Sequence, residues 1–323
     1  MNLKPWLVWS MVVMTLLSAA GEGLVAQTKM PQEQCSLAVV GHANPTVKVC
    51  DLKTIRKLAE RGQVFEQNQM GIASMMVVEP ETSTKDAVAW FQNAARKGYA
   101  PAQVNLGVMY VNGWGVQKNY GTALNWFRQA AQQNFARANY NLGIIYLEGE
   151  GVAQDYRLAF QYFQKAAAAG DTGAETDLAY LYDRGLGVSQ NEKLALDWYR
   201  KAAEAGDALA QHNLGDMYLR GEGVPQSDAV AVSWFEKAAA QGQTGAEIKL
   251  AYMLAQGRGV PKNTEAAYAL AKAAYSAGDN RGQELLRSLG SQLTNEQRQR
   301  ATEKAGAMNS DAQTKTMAKA LLP

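Results

Sequence analysis

An aromatic pair returns along this chain every 36 residues without an insertion: Trp90-Phe91, Trp126-Phe127, Tyr162-Phe163, Trp198-Tyr199 and Trp234-Phe235, with Leu270 at the next step. Three further series keep the same phase. One runs Met70-Gly71, Leu106-Gly107, Leu142-Gly143, Leu178-Ala179, Leu214-Gly215 and Leu250-Ala251. Another is a glycine loop at Gly113 to Val116, Gly149 to Val152, Gly185 to Val188, Gly221 to Val224 and Gly257 to Val260. The last is an alanine pair, from Ala94-Ala95 to Ala238-Ala239. Four series in one register specify a repeat architecture, which constrains the fold before composition is consulted.

Within a unit the spacing is helical. Ala102, Leu106 and Tyr110 share one face of a first helix, and Ala123, Phe127 and Ala131 one face of a second, widened by Trp126 and Ala130. Gly107, Gly143 and Gly215 carry no bulk beside the leucine, so the paired helix can approach closely. Each second helix is predicted to end at Gly98, Gly170, Gly206, Gly242 or Gly278, with Asn134 in that slot once, residue types that accept the left-handed C-cap conformation. The expected fold is all-α, with stacked helix pairs, because no single unit can bury its apolar face alone.

The outer units depart from the pattern, as capping requires. Asp51 to Gly62 fits the second helix of a residual unit, Val77-Val78-Glu79-Pro80 replaces the glycine loop of the next, and the unit from Thr244 to Asp279 has lost its aromatic pair. Gln283 to Leu289 and Thr294 to Met308 are predicted as two further helices, the second N-capped by Thr294, with no strong pattern in the last dozen residues. The organisation expected is a signal peptide over 1–26, an N-terminal segment over 27–50, the repeat array over 51–279, and capping helices with a tail over 280–323.

The signal segment is argued from Lys4, the apolar stretch from Trp6 to Leu17, and small residues at Ser18, Ala19, Ala20 and Gly21. Cleavage is expected after Ala20 or, second, after Ala26; the competing reading is an uncleaved anchor, although the stretch falls short of the roughly 20 apolar residues a span needs. The protein is therefore expected in the periplasm or secreted, without stable membrane insertion after cleavage. In an oxidising compartment Cys35 and Cys50 are expected to form a disulfide, stabilising the folded segment by about 3 kcal/mol. The alternative, a metal site of Cys35, His42 and Cys50, lacks the four ligands and paired spacings of structural zinc. Lys plus Arg is 32 and Asp plus Glu is 30, a net charge of +2 that gives no reason to expect nucleic acid as a partner.

The unit A-x-x-x-L-G-x-M-Y, G-x-G-V, A-x-x-W-F-x-x-A-A-x-x-G resembles the Sel-1-like repeat, a variant of the tetratricopeptide hairpin. Ala102 to Tyr110, Gly113 to Val116 and Ala123 to Ala131 carry the match in one unit, and Ala210 to Tyr218, Gly221 to Val224 and Ala231 to Ala239 in another. The resemblance covers roughly residues 64–279. It implies a right-handed superhelical solenoid of antiparallel helix pairs, and an adaptor or scaffold role toward a protein or peptide. Some secreted members carry a disulfide in every repeat and are linked to penicillin-type ligands; the repeats here contain no cysteine.

No catalytic centre, cofactor or metal is expected. The glycine loops lie between helices and lack the Gly-Lys-Ser/Thr of a phosphate cradle. No Ser-x-x-Lys, Lys-Thr-Gly or Gly-x-Ser-x-Gly occurs, which weighs against the alternative of an envelope hydrolase or β-lactam-binding protein. In tetratricopeptide-like hairpins the first helix lines a concave groove. Carried onto this chain, the candidate groove residues are Asn105, Tyr140, Asn141, Tyr180, His212, Asn213 and Tyr252, rings for a peptide's side chains and amides for its backbone. The competing reading is that the asparagines bridge helices and the tyrosines pack.

Overall fold

The computed structural model describes residues 35–37, 48–50, 52–75 and 80–321. The expected leader, His42, the segment Val77 to Glu79 and the side chains of Cys35 and Cys50 lie outside the described residues. The chain forms two compact units, one running to Asp171 and the other spanning Thr172–Thr316. The first begins with two short strands, β1 (Cys35–Leu37) and β2 (Lys48–Cys50), paired in parallel with Cys35 opposite Lys48 and Leu37 opposite Cys50. Helices α1 (Leu52–Glu60), α2 (Val64–Met75), α3 (Pro80–Arg96), α4 (Ala100–Asn112), α5 (Tyr120–Ala131), α6 (Ala136–Glu148) and α7 (Tyr156–Ala168) follow. The second unit holds α8 (Thr172–Arg184), α9 (Glu192–Glu204), α10 (Ala208–Arg220), α11 (Asp228–Ala239), α12 (Thr244–Gln256), α13 (Thr264–Ser276), α14 (Arg281–Gly290) and α15 (Asn295–Leu321). From α2 to α13 these are the expected helix pairs, each packed on its partner. The strands escape the helical period because it starts only at Asp51.

Each boundary has a local cause. The second helix of a pair begins behind a side-chain cap: Asn119, Asp155, Asn191, Ser227 and Asn263, 36 residues apart, each accept from the backbone N–H three residues on, satisfying a donor that the helix leaves orphaned. First helices stop at a left-handed glycine, Gly113 at φ 73° being one. Second helices turn through the glycine slot two residues past their last full turn, and Asn134 takes it at φ 59°, the one non-glycine residue with positive φ among the described residues. Thr294 Oγ1 accepts from Gln297 N while Gln297 Oε1 accepts from Thr294 N, a capping box at the start of α15. That helix runs on to Leu321, past the expected end at Met308; Ala, Lys, Gln and Met are good helix formers and extend it without an apolar stripe.

The core is a row of rings laid on glycine. Phe91, Phe127, Phe163, Tyr199 and Phe235 are fully buried. A Cβ built on Gly107 would sit 2.4 Å from Phe127 Cε1, on Gly143 2.5 Å from Phe163 Cε1, and on Gly215 2.7 Å from Phe235 Cε1. The leucine-glycine step thus holds the second helix's ring against the first helix's backbone. Where the step is Leu250-Ala251, the ring slot has become Ala271, so both partners change together. Within each unit, successive pairs meet at the second glycine of a loop: a Cβ on Gly115 would meet Thr84 O at 2.5 Å, and one on Gly259 would meet Asp228 C at 2.6 Å.

Gly107→Ala must push Phe127 off its seat. It is expected to lower the unfolding free energy by about 1–3 kcal/mol, read as a shift in the urea midpoint. An unchanged midpoint would mean that the ring contact does not set the helix spacing.

Candidate functional site

The seven candidates taken from first helices fall into two groups. In the first unit Asn105 is buried, whereas Tyr140 and Asn141 are half-buried. Asn105 is fully buried on α4, between buried Val104 and Val108, and its Nδ2 donates to Asn68 Oδ1 of α2 at 2.8 Å. It bridges two helices and offers nothing to a ligand, so its expected groove role is corrected. Tyr140 is half-buried with its ring 5.9 Å from that of Phe163, and the Arg137 guanidinium lies 5.1 Å from its centroid. Asn141 Nδ2 donates back to the Arg137 carbonyl on its own helix.

In the second unit a different slot, two residues after the leucine, opens to solvent on α8 and α12. Tyr180 on α8 and Tyr252 on α12 are exposed, as is Leu209 on α10, and Arg184 lies over the Tyr180 ring at 5.9 Å. His212 and Asn213 are half-buried on α10. The His212 ring packs 5.7 Å from that of Phe235, with Nε2 4.0 Å from Asp216 Oδ2. Lys249 Nζ reaches across from α12 to Asp216 Oδ1 at 3.1 Å. At the start of α14, Arg281 grips Asp279 through Nε (3.0 Å) and Nη2 (2.6 Å). Burial lowers the His212 pKa; Asp216 opposes the shift, while Lys249, Arg281 and Arg220 reinforce it. The Arg281 bond holds the Asp279 carboxyl below the usual range. Tyr180, His212, Asp216, Lys249, Tyr252 and Arg281 therefore make an aromatic and charged face on α8, α10, α12 and the start of α14. Among the described residues, no group of three or more His, Cys, Asp or Glu side chains could hold a metal ion.

Behind that face runs a buried polar column, three residues before each leucine: Gln67, Gln103, Asn139, Glu175, Gln211 and Glu247. Gln67, Gln103 and Gln211 donate to the carbonyls of Ala59, Ala95 and Ala203 at the end of the preceding helix, which also accept from the backbone N–H of Gly62, Gly98 and Gly206. Gln103 and Gln211 also accept from Gln133 and Gln241. Glu175 cannot donate, and Lys201 Nζ neutralises it at 2.7 Å. Glu247 has no such help: Ala273 and Ala277 occupy the positions in register with Lys201 and Gln241. Its Oε2 is buried without a hydrogen-bond partner, and burial, then the charge of Asp279, push its pKa up to about 7.

The repeat geometry has close relatives. The model of the Sel1 repeat matches six successive stretches, residues 78–99, 100–135, 136–171, 173–207, 208–243 and 244–279. The chain belongs to the Sel1 repeat family. Among solved structures, a Sel1 repeat protein from Oxalobacter formigenes is 30% identical with a TM-score of 0.61, the match covering 73% of this chain and 96% of that one. A protective antigen of uropathogenic Escherichia coli, c5321, which displays the same fold, is 27% identical with a TM-score of 0.51, over 84% of this chain and 67% of that one. No curated protein matches. Sel1 repeat proteins are in general protein-interaction scaffolds, and among the described residues of this one no helix is long and apolar enough to cross a membrane.

Sequence reasoning missed Arg281 and Glu247. Arg281 lies just past the last repeat, where the 36-residue register gives no slot to compare. Glu247 was accessible: stepping the Gln103 position by 36 finds a carboxylate where amides are the rule.

Glu247 gives this Sel1 chain a pH-dependent stability of defined sign. Its folded pKa lies above its unfolded value of 4.5, so the native state binds the extra proton. Stability from this group is complete below pH 4.5 and falls as pH rises to about 7, by roughly 3 kcal/mol. Glu247→Gln is expected to remove that slope and to stabilise the protein at pH 8, since an amide there can donate to the Ala239 carbonyl as Gln211 does to Ala203. Urea unfolding of both proteins across pH 4–8 checks this, and parallel curves would refute it.

Proposed function

We propose that this Sel1 repeat protein is a non-catalytic scaffold of the bacterial envelope that binds a protein or extended peptide on the first-helix face of α8, α10 and α12. The observation that carries the reading is the exposure of Tyr180, Leu209 and Tyr252 on three successive first helices. Two residues after the leucine, α4 carries a buried Val108, whereas α8 and α12 carry exposed tyrosines. Exposed rings on a rigid helical array supply large contact area at little cost in side-chain entropy. Cross-linked affinity capture with the wild type and with Tyr180→Ala/Tyr252→Ala tests the reading. A partner held by the wild type should be lost from the variant, with affinity reduced at least tenfold, or about 1.4 kcal/mol. Undiminished capture by the variant would exclude this face.

The envelope location is supported by Lys4, the apolar stretch from Trp6 to Leu17 and the small residues after it. We further propose cleavage after Ala20 and a Cys35–Cys50 disulfide in the exported protein. Mass spectrometry of protein from the periplasm or medium should give a chain starting at Gly21 that gains the mass of two hydrogens on reduction. Retention of Met1 in the cytoplasm would contradict export.

A further inference from the structure

We infer that the occupant of the second unit's first-helix face is an acidic segment of the partner, an inference that rests on that face being the docking surface. Its ion pairs are built alike, with the carboxylate sunk and the cation outermost. The Lys249 side chain is 37% exposed in front of Asp216 at 18%, and Arg281 is 60% exposed in front of Asp279 at 12%. Arg220 likewise stands further out than Glu222, which it meets at 2.8 Å. Each carboxylate is used to hold its cation in place, and the cations keep donors to spare. Arg281 spends Nε and Nη2 on Asp279, and a guanidinium has five N–H groups; Lys249 has three, with one carboxylate beside it.

An incoming chain therefore meets Arg220, Lys249 and Arg281 before it meets any of their counter-ions. All three cations reach His212, whose pKa is lowered first by burial, with Asp216 opposing and Lys249, Arg281 and Arg220 adding to the lowering. Glu247, buried behind them and raised to about 7, supplies no full negative charge to offset them at or below that pH. Exposed Tyr252 stands near enough to Arg281 to affect its titration, so a ring is available to an apolar side chain next to an acidic one. A carboxylate on the partner would bridge the outward N–H groups and displace only water, whereas a basic segment would face Lys249 and Arg281, whose carboxylates are sunk behind them, with only Glu222 partly within reach.

Fluorescence anisotropy of the full chain with three labelled peptides tests this: one alternating Glu with Leu, and its Gln-for-Glu and Lys-for-Glu counterparts. The Glu peptide should bind roughly tenfold tighter than the Gln peptide at low salt, with the gap closing at high salt and the Lys peptide weakest. Lys249→Gln/Arg281→Gln should reduce the Glu peptide to the level of the Gln peptide, while Lys249→Arg, which keeps the charge and holds Asp216, should preserve the preference even if the first variant is poorly folded. Equal binding of the Glu and Gln peptides, or no binding by any, would overturn the acidic occupant. If the peptides bind without a charge preference but Tyr180→Ala/Tyr252→Ala weakens them all, only the acidic occupant fails; if the tyrosine variant also changes nothing, the docking face fails with it.

Discussion

The contact of a phenylalanine ring with the bare Cα of a glycine fixes the distance between the two helices in the pairs built on Gly71, Gly107, Gly143 and Gly215, and the packing of those pairs follows from that distance. With Phe127 Cε1 lying 2.4 Å from where a Gly107 Cβ would be, the first helix has no room for side-chain bulk at that point. Its leucine and small residues are then close enough to the alanine pair of the second helix for a dry core. The spacing between pairs is set similarly, by loop glycines lying on the start of an earlier second helix. Such bare-backbone contacts penalise an insertion: one extra residue in either helix would rotate a glycine off its ring or its neighbour's backbone.

Close packing has an electrostatic consequence. The carbonyls of Ala59, Ala95 and Ala203, at the ends of second helices, accept a turn N–H and have a second lone pair that faces the next first helix. Gln67, Gln103 and Gln211 each donate to it; Asn139 donates instead to the Phe135 carbonyl, and the two glutamates are the exceptions that test the rule. Glu175 is tolerated because Lys201 answers it; Glu247 faces an alanine at the corresponding position and keeps its proton to nearly neutral pH. One column of a single repeat pattern thus contains a hydrogen bond, a salt bridge and a titrating acid, according to what stands opposite.

The fold was legible because its determinants recur. The period located the helix pairs and the turn at Asn134, and capping preference located the start of α15 at Thr294, each of which depends on residue type at a fixed offset. The N-cap column Asn119, Asp155, Asn191, Ser227, Asn263 was equally available to the same stepping. The strands at Cys35–Leu37 and Lys48–Cys50 were not, since they precede the first repeat. Exposure was the harder quantity. Asn105 and Asn213 occupy one slot and read identically in sequence, yet one is locked to Asn68 and the other is half-buried. Asn141, in the same slot, is half-buried as well, so the difference comes from what packs on the slot in each repeat, which periodicity does not encode.

Repetition itself separates architecture from function in this chain. Residues that recur at every step are explained by packing, capping or turning, and none of them distinguishes one repeat from another. The residues that could recognise a partner sit where the pattern is broken: tyrosine at a slot held by buried Val108, aspartate at that slot on α10, lysine at a slot held by asparagine, and Arg281 beyond the last repeat. These departures fall on first helices of the second unit and on the helix that follows them. A scaffold of near-identical units needs such a break in periodicity, because a face that repeated perfectly would present the same chemistry at every step and could not fix the register of whatever it binds.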